Sequence, residues 1–565
     1  MIKYCIKYIK YFCLCSCLSG CITSIEYRKH QETITNAMQN NNFDAVKQVI
    51  EKPDFHKEEQ SIFLKNAETA NYLFNTENYC QALDFFDKSY DNLQAQQTTD
   101  ISSKLSSFFL KELDVYNGEI YEKSLIRFYQ SLTNYNIYNN GKCEVYLNLQ
   151  NHKKDGQNVG LSGKILSDAE KRQKFSASRA NILEWDSFLE GREIKKEDRF
   201  FSKDLLQKIW GAFIHEQQGS LTDKQIATQL YKDAKDVAKN RYAVYSEFNK
   251  NSKEFIENLD KIESKKLFLD YDNKYVKDVV DFADKQIKRL QENKKANLEI
   301  VLFDDVISQK KAVQANIPTR VFFNGNNLLL YAANTIMATN VSFETPFIEQ
   351  KPIENEYFYR IKDKKKNKII IEDKIILVEP ISNIEYTSYL QNRDSIIAGI
   401  VSRITSNFNS CIISAIMQER NRKNRTNKKK SSSNNFFGSL LSFAVETAID
   451  TAIDTAVAYL FTEGNVRRYS VAIRRNCLKI LTDTERVDTR HLVSLPSNIF
   501  IATDYLEDGE YNIEIIKNKR GNNTIIKTED FVIKDGNTFF LKVNSFYNKN
   551  YINNDNTIIQ NKIKI

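Results

Sequence analysis

The chain has 565 residues, 27% charged and 41% hydrophobic, with 81 basic against 73 acidic side chains and a formal net charge of +8. That length carries two to four domains, each able to bury its own core, and so mild a basic excess marks no nucleic-acid surface. The 16 glycines and 6 prolines are few, which argues against glycine-built phosphate loops.

Lys3, Lys7 and Lys10 precede the short apolar run Tyr11 to Leu18, which is far too short to cross a bilayer of ~30 Å and has the layout of a secretory signal. It ends in Leu18-Ser19-Gly20-Cys21, which resembles a bacterial lipobox. Cleavage is expected between Gly20 and Cys21, leaving Cys21 as the acylated first residue. Three acyl chains at ~0.8 kcal/mol per CH2 would make the anchor permanent. The plainer alternative is an ordinary signal with a chance cysteine, since five of the nine cysteines stand between Cys5 and Cys21. Ile22, where an aspartate would hold a lipoprotein in the inner membrane, favours outer-membrane retention facing the periplasm. Export would carry Cys80, Cys143, Cys411 and Cys477 into an oxidising compartment, where four thiols allow three complete pairings. Free thiols and disulfides are equal readings there.

After a signal peptide over 1–20 and a tether over 21–32, residues 33–297 read as helical. Phe63, Ala67, Ala70 and Leu73/Phe74 recur every three to four residues, as a buried helix face does. Tyr79, Ala82, Phe86 and Ser89 have spacings like the second helix of a tetratricopeptide (TPR) repeat, with Ala227, Tyr231 and Ala234 a later echo. Tyr121, Leu125, Phe128/Tyr129 and Leu132 form another stripe, and Val276, Val279/Val280, Ala283, Ile287 and Leu290 the last. The expectation is a TPR-like helical solenoid.

From Leu298 the segments shorten and become β-branched. Ile300–Phe303, Val321–Phe323, Leu328–Tyr331, Phe358–Ile361, Ile369–Ile371 and Ile375–Val378 predict a small antiparallel β-domain over 298–393. The lysines at 364, 365, 366 and 368 read as a solvated hairpin tip. Residues 394–461 predict a helical hairpin with a basic loop of Arg420, Arg422, Lys423, Arg425, Lys428, Lys429 and Lys430. That loop is a candidate for a partner or anionic headgroups. In its second helix, 436–461, Ala444, Ala448, Ala452 and Ala456 form a ridge suited to close packing or self-association, while Glu446, Asp450 and Asp454 oppose a membrane span. Residues 466–547, with turns at Asp508-Gly509, Arg520-Gly521 and Asp535-Gly536, predict a β-sandwich-like domain, followed by a flexible tail over 548–565. The fold class is α+β, multidomain.

Asp488-Thr489-Arg490 with Leu495-Pro496 admits two readings. Its fork-shaped guanidinium and carboxylate either bind a partner or brace the turn into the β-structure. No catalytic set emerges: His30, His56, His152, His215 and His491 fit no metal spacing, and no nucleophile elbow or phosphate loop occurs. No cofactor or metal is expected.

The lipobox, the TPR-like half, Glu119-Ile120-Tyr121-Glu122 leading to Leu132 and Asn134-Tyr135, and then Asp488-Thr489-Arg490, Leu495-Pro496 and Ile499-Phe500-Ile501-Ala502 resemble an uncharacterised family of bacterial outer-membrane/periplasmic lipoproteins. That family commonly has a tryptophan at the position of Leu492. It also has an arginine-rich end after the helix, where this chain has Cys143-Glu144-Val145-Tyr146. The resemblance implies a lipid-anchored periplasmic scaffold, not an enzyme, that engages an envelope protein or peptide through its helical surface. An envelope hydrolase or glycan-processing enzyme is the alternative from another class, and a secretion or flagellar accessory subunit is a third.

Overall fold

Helix α1 (27–39) is followed by α2 (Phe43–Ile50), capped by the Asn42 side chain, which accepts from the Ala45 amide at 3.1 Å. The computed structural model describes residues 27–57, 61–95, 116, 118–143, 163–190, 204–240, 274–318, 340–349, 351–389, 396, 399–400 and 487–546. Helices α3 (Ile62–Asn75) and α4 (Tyr79–Ala95) pack as an antiparallel pair. Ala67, Ala70 and Ala82 are fully buried, the small side chains that let two helix axes come close.

Helix α5 (Ile120–Asn140) is buried almost from end to end. Its amino end carries a capping box, with the Glu119 and Glu122 side chains reciprocally engaged, and its carboxyl end stops at Gly141, φ 62°. Both are the stop and start chemistry expected of a helix that cannot fray into water. Just beyond it, strand β1 (Lys142–Cys143) pairs with β2 (Lys164–Ile165), and Cys143 forms a disulfide with Cys80 on α4. Helices α6 (Asp168–Glu190), α7 (Leu205–Gln218), α8 (Leu221–Asn240) and α9 (Lys274–Gln291) complete the layer.

Strand β3 (Leu298–Val306) enters the sheet. A hairpin of β4 (Lys310–Pro318) and β5 (Asn340–Ile348) stands apart from it. Strands β6 (Asn355–Asp363) and β7 (Lys368–Glu379), helix α10 (381–389), and strands β8 (Pro496–Asp504), β9 (Gly509–Lys519), β10 (Asn522–Ile533) and β11 (Phe539–Ser545) complete the order. One seven-stranded sheet runs β10-β9-β6-β7-β8-β3-β11, antiparallel except for the parallel β3/β11 pair. Strand β8 is buried at every position, as a central strand covered on both faces must be.

The covering is asymmetric. On one side an aromatic seam joins helices to strands: Phe74 and Tyr129 meet Phe303 at 6.0 and 5.9 Å, and Tyr135 meets Trp210 at 5.5 Å and Phe540 at 5.6 Å. On the other side the sheet curls on itself. Tyr357 of β6 donates to Asp304 of β3 at 2.6 Å and shares a 2.9 Å hydrogen bond with the Ser545 hydroxyl of β11, across strands that separate them in the sheet. The hydroxyl and carboxylate satisfy each other inside, where an unmet polar group would be costly.

Several expectations change here. Strands β3, β6 and β7 from 298–379 and β8 to β11 from 496–545 form one sheet, so the separate antiparallel β-domain (298–393) and C-terminal β-sandwich (466–547) are not the observed division. The helices, too, share one continuous core with this sheet. Ile369–Ile371 and Ile375–Val378 belong to a single strand, β7, and Thr524–Lys527 and Phe531–Ile533 to β10, which has a bulge between Ile525 and Lys527. In both cases a charged interruption, Glu372-Asp373-Lys374 or Thr528-Glu529-Asp530, sits where the sheet rim meets water, and charge there does not end a strand. The Arg520-Gly521 turn stands, with φ of 52° and 88°, the left-handed pair a two-residue hairpin requires. At the β6–β7 tip, Lys364 pairs with Asp530 at 2.8 Å and Lys366 with Asp363. Val321–Phe323, Leu328–Tyr331, the tail over 548–565 and, apart from 396, 399 and 400, the predicted hairpin over 394–461 lie outside the described residues.

Candidate functional site

The irregular segment 487–495 runs through the interior, although an irregular backbone normally stays at the surface, where water can satisfy it. Here side chains from helices do that work. The Glu122 carboxylate accepts from the Leu492 amide at 2.8 Å and from Tyr116 and the Glu119 amide at 2.7 Å. One residue on, Glu68 accepts from the Val493 amide at 2.7 Å, and Asn71 donates to Ser494 Oγ at 3.0 Å. From α1, Gln31 donates to the Thr489 and His491 carbonyls, both at 3.3 Å. Arg490 closes the entrance with two parallel bonds to Asp488, each 2.9 Å, and its guanidinium lies 5.5 Å from the Tyr116 ring.

The two stretches that carry the family resemblance therefore meet, though 370 residues separate Glu122 from Leu492. The Asp488 and Arg490 side chains are mostly buried and hold each other. Leu492 and Leu495 are fully buried, and Pro496 begins β8 opposite Val306. Thr489 is buried with its hydroxyl unpartnered among the described residues.

Charge follows from this burial. Removal from water pushes Glu68 and Glu122 up to about 7, against the amides that favour their charged forms. Glu385 is raised by burial to about 8, with Lys310 pulling the other way. Burial acts upward on Asp488 as well, but the Arg490 fork outweighs it and holds the carboxyl below the ordinary range. His491 is lowered by burial to about 4, so its ring is neutral at pH 7. Lys310 has the opposite balance: burial disfavours its charge, yet Glu119, Asp488, Glu385 and Glu122 together raise it.

Beside this segment lies a cleft of about 280 Å³ between α1, the start of β4 and the 487–495 strap. Arg28, Gln31 and Glu32 form one wall, Gln309 to Ala312 another, and Thr489 and His491 the floor. Arg28 bonds Glu344 at 2.8 Å and the Val487 carbonyl at 3.2 Å. Lys310 stands 3.7 Å from Glu119, and Lys311 3.8 Å from Glu349. Cations, amides and a neutral imidazole gathered in one cleft are groups that can meet an anion by charge and hydrogen bonding.

Of the residues singled out from sequence, Asp488, Thr489, Arg490, Leu495 and Pro496 are placed here. Gly20, Cys21 and the basic run Arg420, Arg422, Lys423, Arg425, Lys428, Lys429 and Lys430 lie outside the described residues, as does 436–461. Sequence reasoning missed Glu68, Asn71, Gln31 and Lys310. A signal existed for two of them: Glu68 and Asn71 interrupt the apolar face of α3, and a carboxylate or amide on a buried face announces a partner. Among the described residues no group of three His, Cys, Asp or Glu side chains could hold a metal, and no helix is long and apolar enough to cross a membrane. No family model matches the chain, and no curated protein or solved structure matches it.

Proposed function

We propose that this chain is a lipoprotein anchored through Cys21 in the outer membrane, facing the periplasm, where it acts as a non-enzymatic scaffold or binding protein. Its TPR-like helices would engage an envelope protein or peptide. The observation that carries the reading is the Cys80–Cys143 disulfide, with a Cα separation of 5.6 Å. Disulfides persist in oxidising compartments and are rare in the cytosol, which agrees with an exported chain and is independent of the amino-terminal residues. The buried strap adds a reason for rigidity: a helical surface clamped onto a sheet at Glu68 and Glu122 offers a partner a preformed face at low entropic cost.

The expected result is a mature amino terminus at Cys21 bearing thioether-linked diacylglycerol, seen by mass spectrometry of the protein from membranes. Cys21→Ala should move the protein out of the membrane fraction, and crosslinking in intact envelopes should capture a partner with the native form. An unmodified terminus, or a cytosolic protein with its signal intact, would defeat the proposal.

A further inference from the structure

The geometry points to the cleft between α1, β4 and the 487–495 strap as a binding site for a phosphate group, monoester or diester. Three cations, Arg28, Lys310 and Lys311, line it against one acid, Glu32. They differ in kind: a guanidinium fork already oriented by Glu344, and two ammonium groups whose ion-pair partners Glu119 and Glu349 stand at 3.7 and 3.8 Å. A phosphate oxyanion, with several acceptor oxygens, can compete with such long pairs. The Gln309 amide supplies a neutral donor, and Thr489, whose hydroxyl is buried without a protein partner among the described residues, lines the floor.

Size narrows the ligand. About 280 Å³ is at the low end of small-molecule sites, room for a phosphate with a few attached atoms but not for a folded peptide segment. Position suggests the source. Arg28 follows Cys21 by seven residues, and a fully extended chain of that length reaches at most about 25 Å. A lipid anchor on Cys21 would keep the cleft within that distance of the headgroups. The lipid source rests on the anchored reading above; the phosphate site does not.

The test uses the full-length mature protein in neutral detergent, titrated calorimetrically with inorganic phosphate and, separately, with short-chain phosphatidylglycerol. We expect saturable binding of one or both, weakened at high salt. Lys311→Glu, at a side chain 55% exposed, should lower affinity about tenfold, because a like charge replaces an attractive one beside the anion. Lys310→Met is the second variant, and an unchanged thermal midpoint certifies the fold of each. Binding of the lipid but not of inorganic phosphate assigns a headgroup, whereas equal binding assigns a soluble phosphate. Binding of neither probe, or wild-type affinity in both lysine variants, overturns the site. An acylated protein without phosphate binding sinks this inference alone, and phosphate binding by an unacylated protein sinks the anchor alone.

Discussion

Glu122→Leu is expected to destabilise the protein by about 3–5 kcal/mol, because it strands two buried donors, each costing about 1–3 kcal/mol when unmet, and a third that is half-buried. Those donors are the Leu492 amide, the Tyr116 hydroxyl and the Glu119 amide. Leucine also removes half of the capping box that starts α5. Glu122→Gln keeps the shape and one good acceptor, so it should cost about 1–2 kcal/mol. Urea unfolding at pH 6, with the slope unchanged between variants, measures the difference. A leucine variant within 1 kcal/mol of wild type would mean that the strap is not held by this carboxylate.

The same clamp sets a pH dependence whose sign is unusual for carboxylates. Glu68 and Glu122 are raised by burial to about 7 and Glu385 to about 8, while the unfolded chain releases these protons near ~4.3. Between those values the folded protein holds protons that the unfolded chain has lost, so stability falls as pH rises. His491 and His56, lowered by burial to about 4 and about 3, act the other way: below ~6.5 the unfolded chain takes up protons first, and stability falls as pH drops. Burial also lowers His215 and raises Glu299 and Glu379, so the carboxyls outweigh the imidazoles above about pH 5, and the opposition fades as pH passes ~6.5. Lys542, lowered by burial to about 8, adds an opposing slope only from there upward. Thermal midpoints should therefore decline from about pH 5 to about pH 7.5, and less steeply in Glu122→Gln. A flat or rising profile over that range would contradict the burial of these groups.

How far the chain could be read before folding follows from which forces are local. Phe63, Ala67, Ala70 and Phe74, like Ala227, Tyr231 and Ala234, are all buried, because a helix face repeats within one turn and leaves its period in the sequence. Arg520-Gly521 and Asp535-Gly536 mark turns for the same reason: all four residues have positive φ, and left-handed backbone selects residue types at a single position. Strand partners leave no such trace. Nothing near Leu298 or Phe539 says that β3 and β11 lie side by side in parallel, 241 residues apart by sequence number. The strap was visible as a distinctive motif, yet its role was not, since Asp488 and Arg490 would look the same at an exposed site. Only the arrival of Glu68, Asn71 and Glu122 from distant helices makes it internal.

Removing the covalent tie by Cys80→Ser with Cys143→Ser should cost about 3–4 kcal/mol, mostly by releasing a chain of 63 residues in the unfolded state. The bond fastens α4 to the strand just past the carboxyl end of α5, while Glu122 holds the amino end of the same helix. At 21 residues, α5 separates these two fixtures by about 30 Å, far enough for their effects to add within about 0.5 kcal/mol. Combining the two serines with Glu122→Gln should thus give the sum of the separate losses in urea unfolding, and reduction of the wild type should reproduce the serine variant. Ready alkylation of Cys80 and Cys143 in the native protein, or a serine variant as stable as wild type, would remove the disulfide and with it the structural support for export. A loss much larger than the sum would instead show α5 acting as one cooperative strut, in which freeing either end releases the other.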